Sequence, residues 1–93
     1  MRLVDFNFST ADYDRTRPLF ILADPKPLPV TELRQQADTH QLILVTSTGR
    51  PLTLDQFAMR TQKIPGSWRI VTTHTTPREL FGYRLVDEKV VFM

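Results

Sequence analysis

The stretch Leu42-Ile-Leu-Val-Thr-Ser-Thr48 is a continuous apolar run that ends in a cluster of hydroxyl side chains. Residues 19–24 and 69–75 have the same form. Continuous apolar runs, as opposed to alternating ones, are typical of strands that are buried on both faces in a parallel sheet covered by helices. Helix-like segments separate the three runs. We therefore expect a small single α/β domain, residues 1–93, with a mixed, mainly parallel sheet of about five strands and two to three helices.

Further strands are expected at both ends of the chain. In residues 3–8 the last apolar side chains alternate with Asp5 and Asn7, which indicates a strand with one wet face. Residues 83–93 are rich in β-formers and fit a hairpin that turns at Asp87-Glu88. A single strand is the alternative, because this turn lacks the glycine that tight hairpins favour.

A first helix is expected after the proline-rich stretch 25–29, since prolines at alternate positions exclude a helix there. Val30, Leu33 and Ala37 then recur at helical spacing and form a modest apolar stripe. The pattern predicts a helix that begins near residue 30 and ends before Gln41.

Two more helices are marked by capping signals. Thr53 followed by Gln56 forms a capping box ahead of an apolar stripe, which predicts a helix that ends at the Pro-Gly pair 65–66. Thr76 followed by Glu79 repeats the signal and predicts a third, short helix.

Composition limits the function classes. The chain has 93 residues, a formal net charge of +2 and no cysteine, so disulfides, thiolate metal sites and a cysteine nucleophile are excluded. Its basic residues are spread along the sequence, whereas nucleic-acid modules usually cluster them. The N-terminus does not have the form of a signal peptide, and no segment is long enough to span a membrane. We expect a cytoplasmic protein, a class that includes phage- and plasmid-encoded proteins, with no membrane partner.

Polar side chains at the strand ends form one candidate ligand site. In a parallel sheet, ligands bind outside the carboxyl ends of the strands, and backbone amides beside an arginine can hold a phosphate or carboxylate. The alternative is a polar turn that only caps the following helix. The candidate ligand- or anion-binding residues are Asp24, Thr46, Ser47, Thr48, Gly49, Arg50, His74, Thr76 and Arg78.

The order of elements from Leu19 to Val86 resembles the PIN-like nucleases, in which an early strand-end aspartate, here Asp24, is joined by further acids. This chain has threonines at the next strand ends, and metal-dependent cleavage needs several carboxylates that converge. The resemblance therefore implies a degenerate, non-catalytic relative. We expect no catalytic residue, no cofactor and no metal site.

A second set of residues suits contacts with a protein. The loop 9–17 combines Tyr13 with Arg15 and Arg17, a composition common at interfaces. The terminal strand carries Val91 and Phe92 and could be an edge that pairs with another chain. The sequence thus favours a small non-enzymatic interaction domain, such as an adaptor or assembly subunit, that binds a protein partner or itself as a homodimer. A nucleotide- or nucleic-acid-binding module that uses the strand-end Thr/Arg/His cluster is the alternative.

Overall fold

A computed structural model describes residues 1–72 and 78–93 of the chain, which form one seven-stranded sheet and two short helices. The elements in chain order are α1 (Leu3–Ser9), β1 (Leu19–Ile21), β2 (Leu28–Gln36), β3 (Gln41–Thr46), α2 (Leu54–Thr61), β4 (Arg69–Thr72), β5 (Arg78–Glu79), β6 (Tyr83–Val86) and β7 (Lys89–Phe92).

The strand order across the sheet is β5-β4-β3-β2-β1-β7-β6. Only the pairs β1–β7 and β3–β4 are parallel, and the four other pairs are antiparallel. The expectation of a mainly parallel sheet of about five strands is therefore wrong. The PIN-like resemblance depended on that element order and falls with it.

The sheet curls into a half-barrel because its two edges are joined by a very short link. Only Leu80, Phe81 and Gly82 separate β5 from β6. Since consecutive Cα atoms are about 3.8 Å apart, the ends of these edge strands can be no more than about 15 Å apart. A flat sheet with five strands between them would hold its edges much farther apart.

Helix α1 fills the space between the two edges. Its first turn is anchored to the chain ahead of β4, where the Leu3 N–H donates to the Trp68 carbonyl at 2.9 Å. At its other end the Tyr83 hydroxyl of β6 donates to Ser9 Oγ at 3.0 Å. Because α1 contacts both sides of the opening, it covers the core that the sheet leaves exposed.

Phe6 is the centre of this core. Its ring centroid lies 5.2 Å from Phe57 of α2, 5.3 Å from Tyr83 of β6 and 5.0 Å from Phe92 of β7. The Phe57 and Tyr83 contacts are edge-on, the geometry that aromatic quadrupoles favour. One helical side chain thereby joins α2 and the β6–β7 hairpin.

Residues 3–8 were expected to be a strand and are the helix α1. Leu3, Phe6 and Thr10 are buried at spacings of three and four, which is a helical repeat. Val4 and Phe8 stay exposed. The alternation seen in the sequence is therefore not the pattern of burial.

Residues 30–40 were expected to be a helix and belong mostly to strand β2 and its hairpin with β3. The pairing register shifts between Val30 and Glu32, so Thr31 is an extra residue in the strand. The bulge changes the phase of the side chains, and Val30 and Leu33 both face the core. Their spacing of three therefore comes from a bulged strand.

Of the remaining predicted elements, two are confirmed and one is wrong. The helix at 53–65 is confirmed as α2, with both hydrogen bonds of the capping box between Thr53 and Gln56 present. The terminal hairpin is confirmed as β6–β7, and Asp87 and Glu88 both have positive φ. The short helix at Thr76–Gly82 is wrong over its described part, since Arg78–Glu79 is strand β5. Thr76 itself lies outside the described residues.

Candidate functional site

A groove of about 510 Å³ lies at one end of the sheet, between the chain that enters β2 and the loop that leaves β3. Most of its surface is apolar. The lining residues are Lys26, Pro27, Leu28, Pro29, Thr46, Ser47, Thr48 and Gly49.

The two walls of the groove differ in what they offer a ligand. On the β2 side, Pro27 and Pro29 have no backbone N–H. On the other side, the loop 47–50 presents hydroxyls and backbone amides, and none of its amides has a backbone partner within the described chain. The loop turns at Gly49, whose φ of +137° is accessible to glycine. The loop therefore supplies backbone donors to the groove, and Lys26 supplies an ammonium group on the β2 side.

The amino end of α2 cannot serve as an anion site. The Leu54 N–H donates to the Arg17 carbonyl, and the Asp55 N–H donates to the Arg15 carbonyl. The Gln56 N–H donates to Thr53 Oγ1. Because the first amides of this helix are already bonded within the protein, the expected anion site at the strand–helix junction has only the amides of the preceding loop.

The structure brings together four of the nine expected ligand-binding residues. Thr46, Ser47, Thr48 and Gly49 line the groove. Asp24 and Arg50 are exposed residues outside its lining. His74 and Thr76 lie outside the described residues.

Arg78 belongs to a different part of the sheet. It pairs with Thr72, which pairs with Leu44, so Arg78 is two strands, or about 10 Å, from β3. Lys26 was not among the expected residues. It lies across the groove from the loop 47–50 because β2, which follows it, pairs with β3. Residues 1–72 and 78–93 contain no group of three or more His, Asp or Glu side chains that could hold a metal ion.

The loop 9–17, expected to contact a partner, has structural contacts. The Tyr13 and Tyr83 hydroxyl oxygens are hydrogen-bonded to each other at 3.3 Å, and this hydrogen bond raises the pKa of Tyr13. Arg15 Nη1 donates to the Thr10 carbonyl at 3.1 Å, and the Arg17 guanidinium lies 5.9 Å from the centre of the Tyr13 ring. The carbonyls of both arginines also cap α2, so this loop holds the helix in place.

A small polar cavity of about 80 Å³ adjoins this loop. Its lining includes Asp14, Arg17 and Glu88. Hydrogen bonds from Thr16 lower the pKa of Asp14. The Arg17 Nε atom is buried without a hydrogen-bond partner among the described residues.

Val91 and Phe92 were expected on an edge strand, and this placement is wrong. Strand β7 lies between β1 and β6, and both side chains are buried. A crossover that the sequence does not reveal places β6 outside β7. Strand β6 is therefore the edge available for pairing at this end of the sheet.

Exposed apolar side chains concentrate on α1 and on the segment that contains β6. Among the described residues, seven large apolar side chains are exposed, and five belong to this region, which we call the α1–β6 surface: Val4, Phe8, Phe81, Leu85 and Val86. Phe8 and Phe81 are 85% and 82% exposed. Val4 and Phe8 are one helical turn apart and adjoin each other.

The backbone of β6 also has open positions. Gly82 and Met93 exchange hydrogen bonds in both directions. Because bonded and non-bonded pairs alternate in an antiparallel ladder, Arg84 and Val86 bond to β7, whereas the N–H and C=O of Tyr83 and Leu85 point away from it. No other backbone partner of these groups is present in the described part of the chain.

Comparison of the chain with protein-family models, with curated proteins and with solved structures gives no match. None of the helices in the described residues has the length and hydropathy to cross a membrane.

Proposed function

We propose that the chain is a non-enzymatic protein-interaction domain whose α1–β6 surface contacts the partner. The observation that carries this proposal is the concentration of exposed apolar side chains beside an unpaired sheet edge. These side chains lie on two elements that contact each other through Ser9 and Tyr83, and exposed apolar patches on a small domain are typical of interaction sites. Burying a phenylalanine contributes about 1.5–3 kcal/mol, so Phe8 and Phe81 are the expected anchors.

The unpaired edge of β6 can bind an extended segment of the partner. An extended segment of a partner that lies along β6 can bond to the N–H and C=O of Tyr83 and Leu85, as in strand addition to a sheet edge. Leu85 and Val86, 42% and 40% exposed, lie on opposite faces of this strand and would contact side chains of the added segment.

Arg84 favours a partner segment that carries an acid. If two copies of the chain paired symmetrically so that Tyr83 met Leu85 of the other copy, each Arg84 would lie directly opposite the same residue of its partner. Like charges at directly opposed positions destabilise a sheet. An aspartate or glutamate at that position would instead form an ion pair across the strands.

Site-specific photocrosslinking tests this proposal. A photoreactive phenylalanine analogue is placed at Phe8, at Phe81 and, as a control, at Met59, which is 63% exposed on α2. We expect one partner to be crosslinked from positions 8 and 81 and not from position 59. Arg84→Glu should abolish this crosslink, and Arg60→Glu, a charge reversal on α2, should leave it unchanged.

Two outcomes would contradict the proposal. Equal crosslinking from all three positions would show that contact is not confined to the α1–β6 surface. Crosslinking of a second copy of the chain, insensitive to Arg84→Glu, would show that no acidic partner segment is required.

The alternative, a nucleotide- or nucleic-acid-binding module, stays a prediction. It is favoured by one observation: Lys26 and the hydroxyls of Thr46–Thr48 line the same groove. Binding of this kind would weaken steeply with salt and would depend on Lys26. Contact through the largely apolar α1–β6 surface would tolerate salt.

A further inference from the structure

We propose that the groove between residues 26–29 and 46–49 binds a small amphiphilic anion, an apolar body that carries one carboxylate. This site is separate from the α1–β6 surface and does not depend on the proposed partner. Its volume of about 510 Å³ is within the range of about 300–1,000 Å³ that is usual for small-molecule sites.

The apolar part of the ligand is set by the β2 side of the groove. Pro27, Leu28 and Pro29 offer rings and an aliphatic side chain. Leu28 and Pro29 are held by their pairing with Ile21 and Phe20 of β1. The surface is therefore fixed by the sheet before any ligand binds, which lowers the ordering cost of binding.

The anionic part is set by charge and by hydrogen-bond donors. Lys26 is the one charged residue among the eight that line the groove, and none of the eight is acidic. The loop amides of residues 47–50 lack backbone partners in the described chain. A carboxylate accepts hydrogen bonds from such amides and from an ammonium group, whereas a cation would be repelled by Lys26 and would meet no carboxylate in the lining.

The prolines favour a small molecule over a peptide strand. An extended peptide that paired with the 26–29 wall would need backbone N–H donors from it, and Pro27 and Pro29 have none. The wall can take an apolar group by contact alone, so a compact ligand with its single polar group directed at the loop satisfies both sides.

Titration with two probes of the same tail and opposite head group tests the proposal. Decanoate and decylamine are added separately to the full chain labelled with ¹⁵N, and amide chemical shifts are followed. We expect decanoate to shift the amides of Thr48, Gly49 and Arg50 in a saturable manner, and decylamine to leave them in place.

Two matched variants test whether the charge of Lys26 contributes to binding in a chain that is still folded. Lys26→Gln should weaken decanoate binding by about three- to tenfold, the range expected for loss of an exposed charge-assisted contact. Lys63→Gln, which removes an exposed lysine outside the groove, should leave it unchanged. The spectra of both variants report directly on whether they are folded.

Three results would overturn the proposal: no saturable shift at residues 48–50, equal binding of decanoate and decylamine at those residues, or a folded Lys26→Gln variant that binds decanoate like the parent chain.

Discussion

Gly82 and Met93 exchange two backbone hydrogen bonds, with N···O distances of 3.3 and 3.0 Å. This pair sets the register of the terminal hairpin. It directs the backbone groups of Arg84 and Val86 toward β7 and those of Tyr83 and Leu85 toward the open edge. The hairpin thereby presents hydrogen-bonding groups next to Phe81, and the edge and the exposed aromatic side chain belong to one surface.

Phe6 and Phe8 should respond in opposite ways to the same substitution. Phe6→Ala removes a fully buried ring that contacts three aromatic side chains, and it should lower the free energy of unfolding by about 3–5 kcal/mol. Phe8→Ala, two residues away on the exposed side of α1, should change it by less than about 0.5 kcal/mol. Urea denaturation measures both. Similar losses for the two variants would contradict the assignment of Phe8 to a free surface.

Thr53→Ala should destabilise the chain through helix α2. It removes the acceptor of the Gln56 N–H and should cost about 1 kcal/mol in unfolding free energy. Thr53→Ser keeps an acceptor at the cap and serves as the control, with stability close to the parent. If the alanine and serine variants melted at the same temperature, the capping bond would not contribute.

Gly66→Ala should conflict with Val4 of α1. A Cβ atom at position 66 would lie 2.8 Å from the Val4 Cβ, which is closer than such atoms approach, so overpacking should cost about 1–3 kcal/mol. Val4→Gly in the same chain removes that Cβ atom and should recover part of the loss, giving a coupling free energy above about 0.5 kcal/mol.

Gly82→Ala is the matched control for this cycle, because no atom lies within 4 Å of its added Cβ. It should leave stability within about 0.5 kcal/mol of the parent. Additive effects of Val4→Gly and Gly66→Ala would show that the loop at Gly66 does not pack on α1.

Glu79 should make folding stability depend on acid pH. Its carboxylate accepts a hydrogen bond from the Met1 ammonium at 2.7 Å, which lowers the pKa of Glu79 below its ordinary value of 4.5. A lowered pKa in the folded state means that stabilisation is complete above about pH 4.5 and is lost as the pH falls through the folded-state value.

Melting temperatures measured between pH 3 and pH 6 test this dependence. The fall in stability on acidification should be shallower for Glu79→Gln than for the parent, because the variant has no carboxylate to protonate at this position. Parallel curves for the two proteins would show that the Met1–Glu79 pair does not contribute.

Local signals predicted α2 and the terminal hairpin because neighbouring residues decide both. Thr53 and Gln56 bond to each other within one turn. Asp87 and Glu88 form the hairpin turn despite the lack of glycine, with φ values of 50° and 65°. In each element the residues that interact are close in the sequence, so a local sequence pattern is enough to predict the element.

The sequence failed where distant contacts override a local pattern. Residues 3–8 alternate like a strand, but the core accepts Leu3 and Phe6 from a helix that fills the opening of the half-barrel. Val30 and Leu33 have helical spacing because a bulge separates them. The capping signal at Glu79 is overridden because this side chain pairs with the Met1 ammonium, 78 residues away in sequence.

The candidate surfaces were predicted only in part for the same reason. Thr46–Gly49 were recognised because they follow an apolar run. Lys26 joins them only through the pairing of β2 with β3. The α1–β6 surface depends on the contact between Ser9 and Tyr83, 74 residues apart, and on a strand order that places β6 outside β7.

Amide hydrogen exchange of β6, followed residue by residue, tests the central claim most directly. In the free chain, the Tyr83 and Leu85 amides should exchange faster than those of Arg84 and Val86, which bond to β7. In the complex with the partner captured through Phe81, exchange at Tyr83 and Leu85 should slow by at least about tenfold, because each amide gains a strand partner. Protection of Leu85 already in the free chain, or unchanged exchange in the complex, would contradict the claim that β6 is an open edge to which a partner adds a strand.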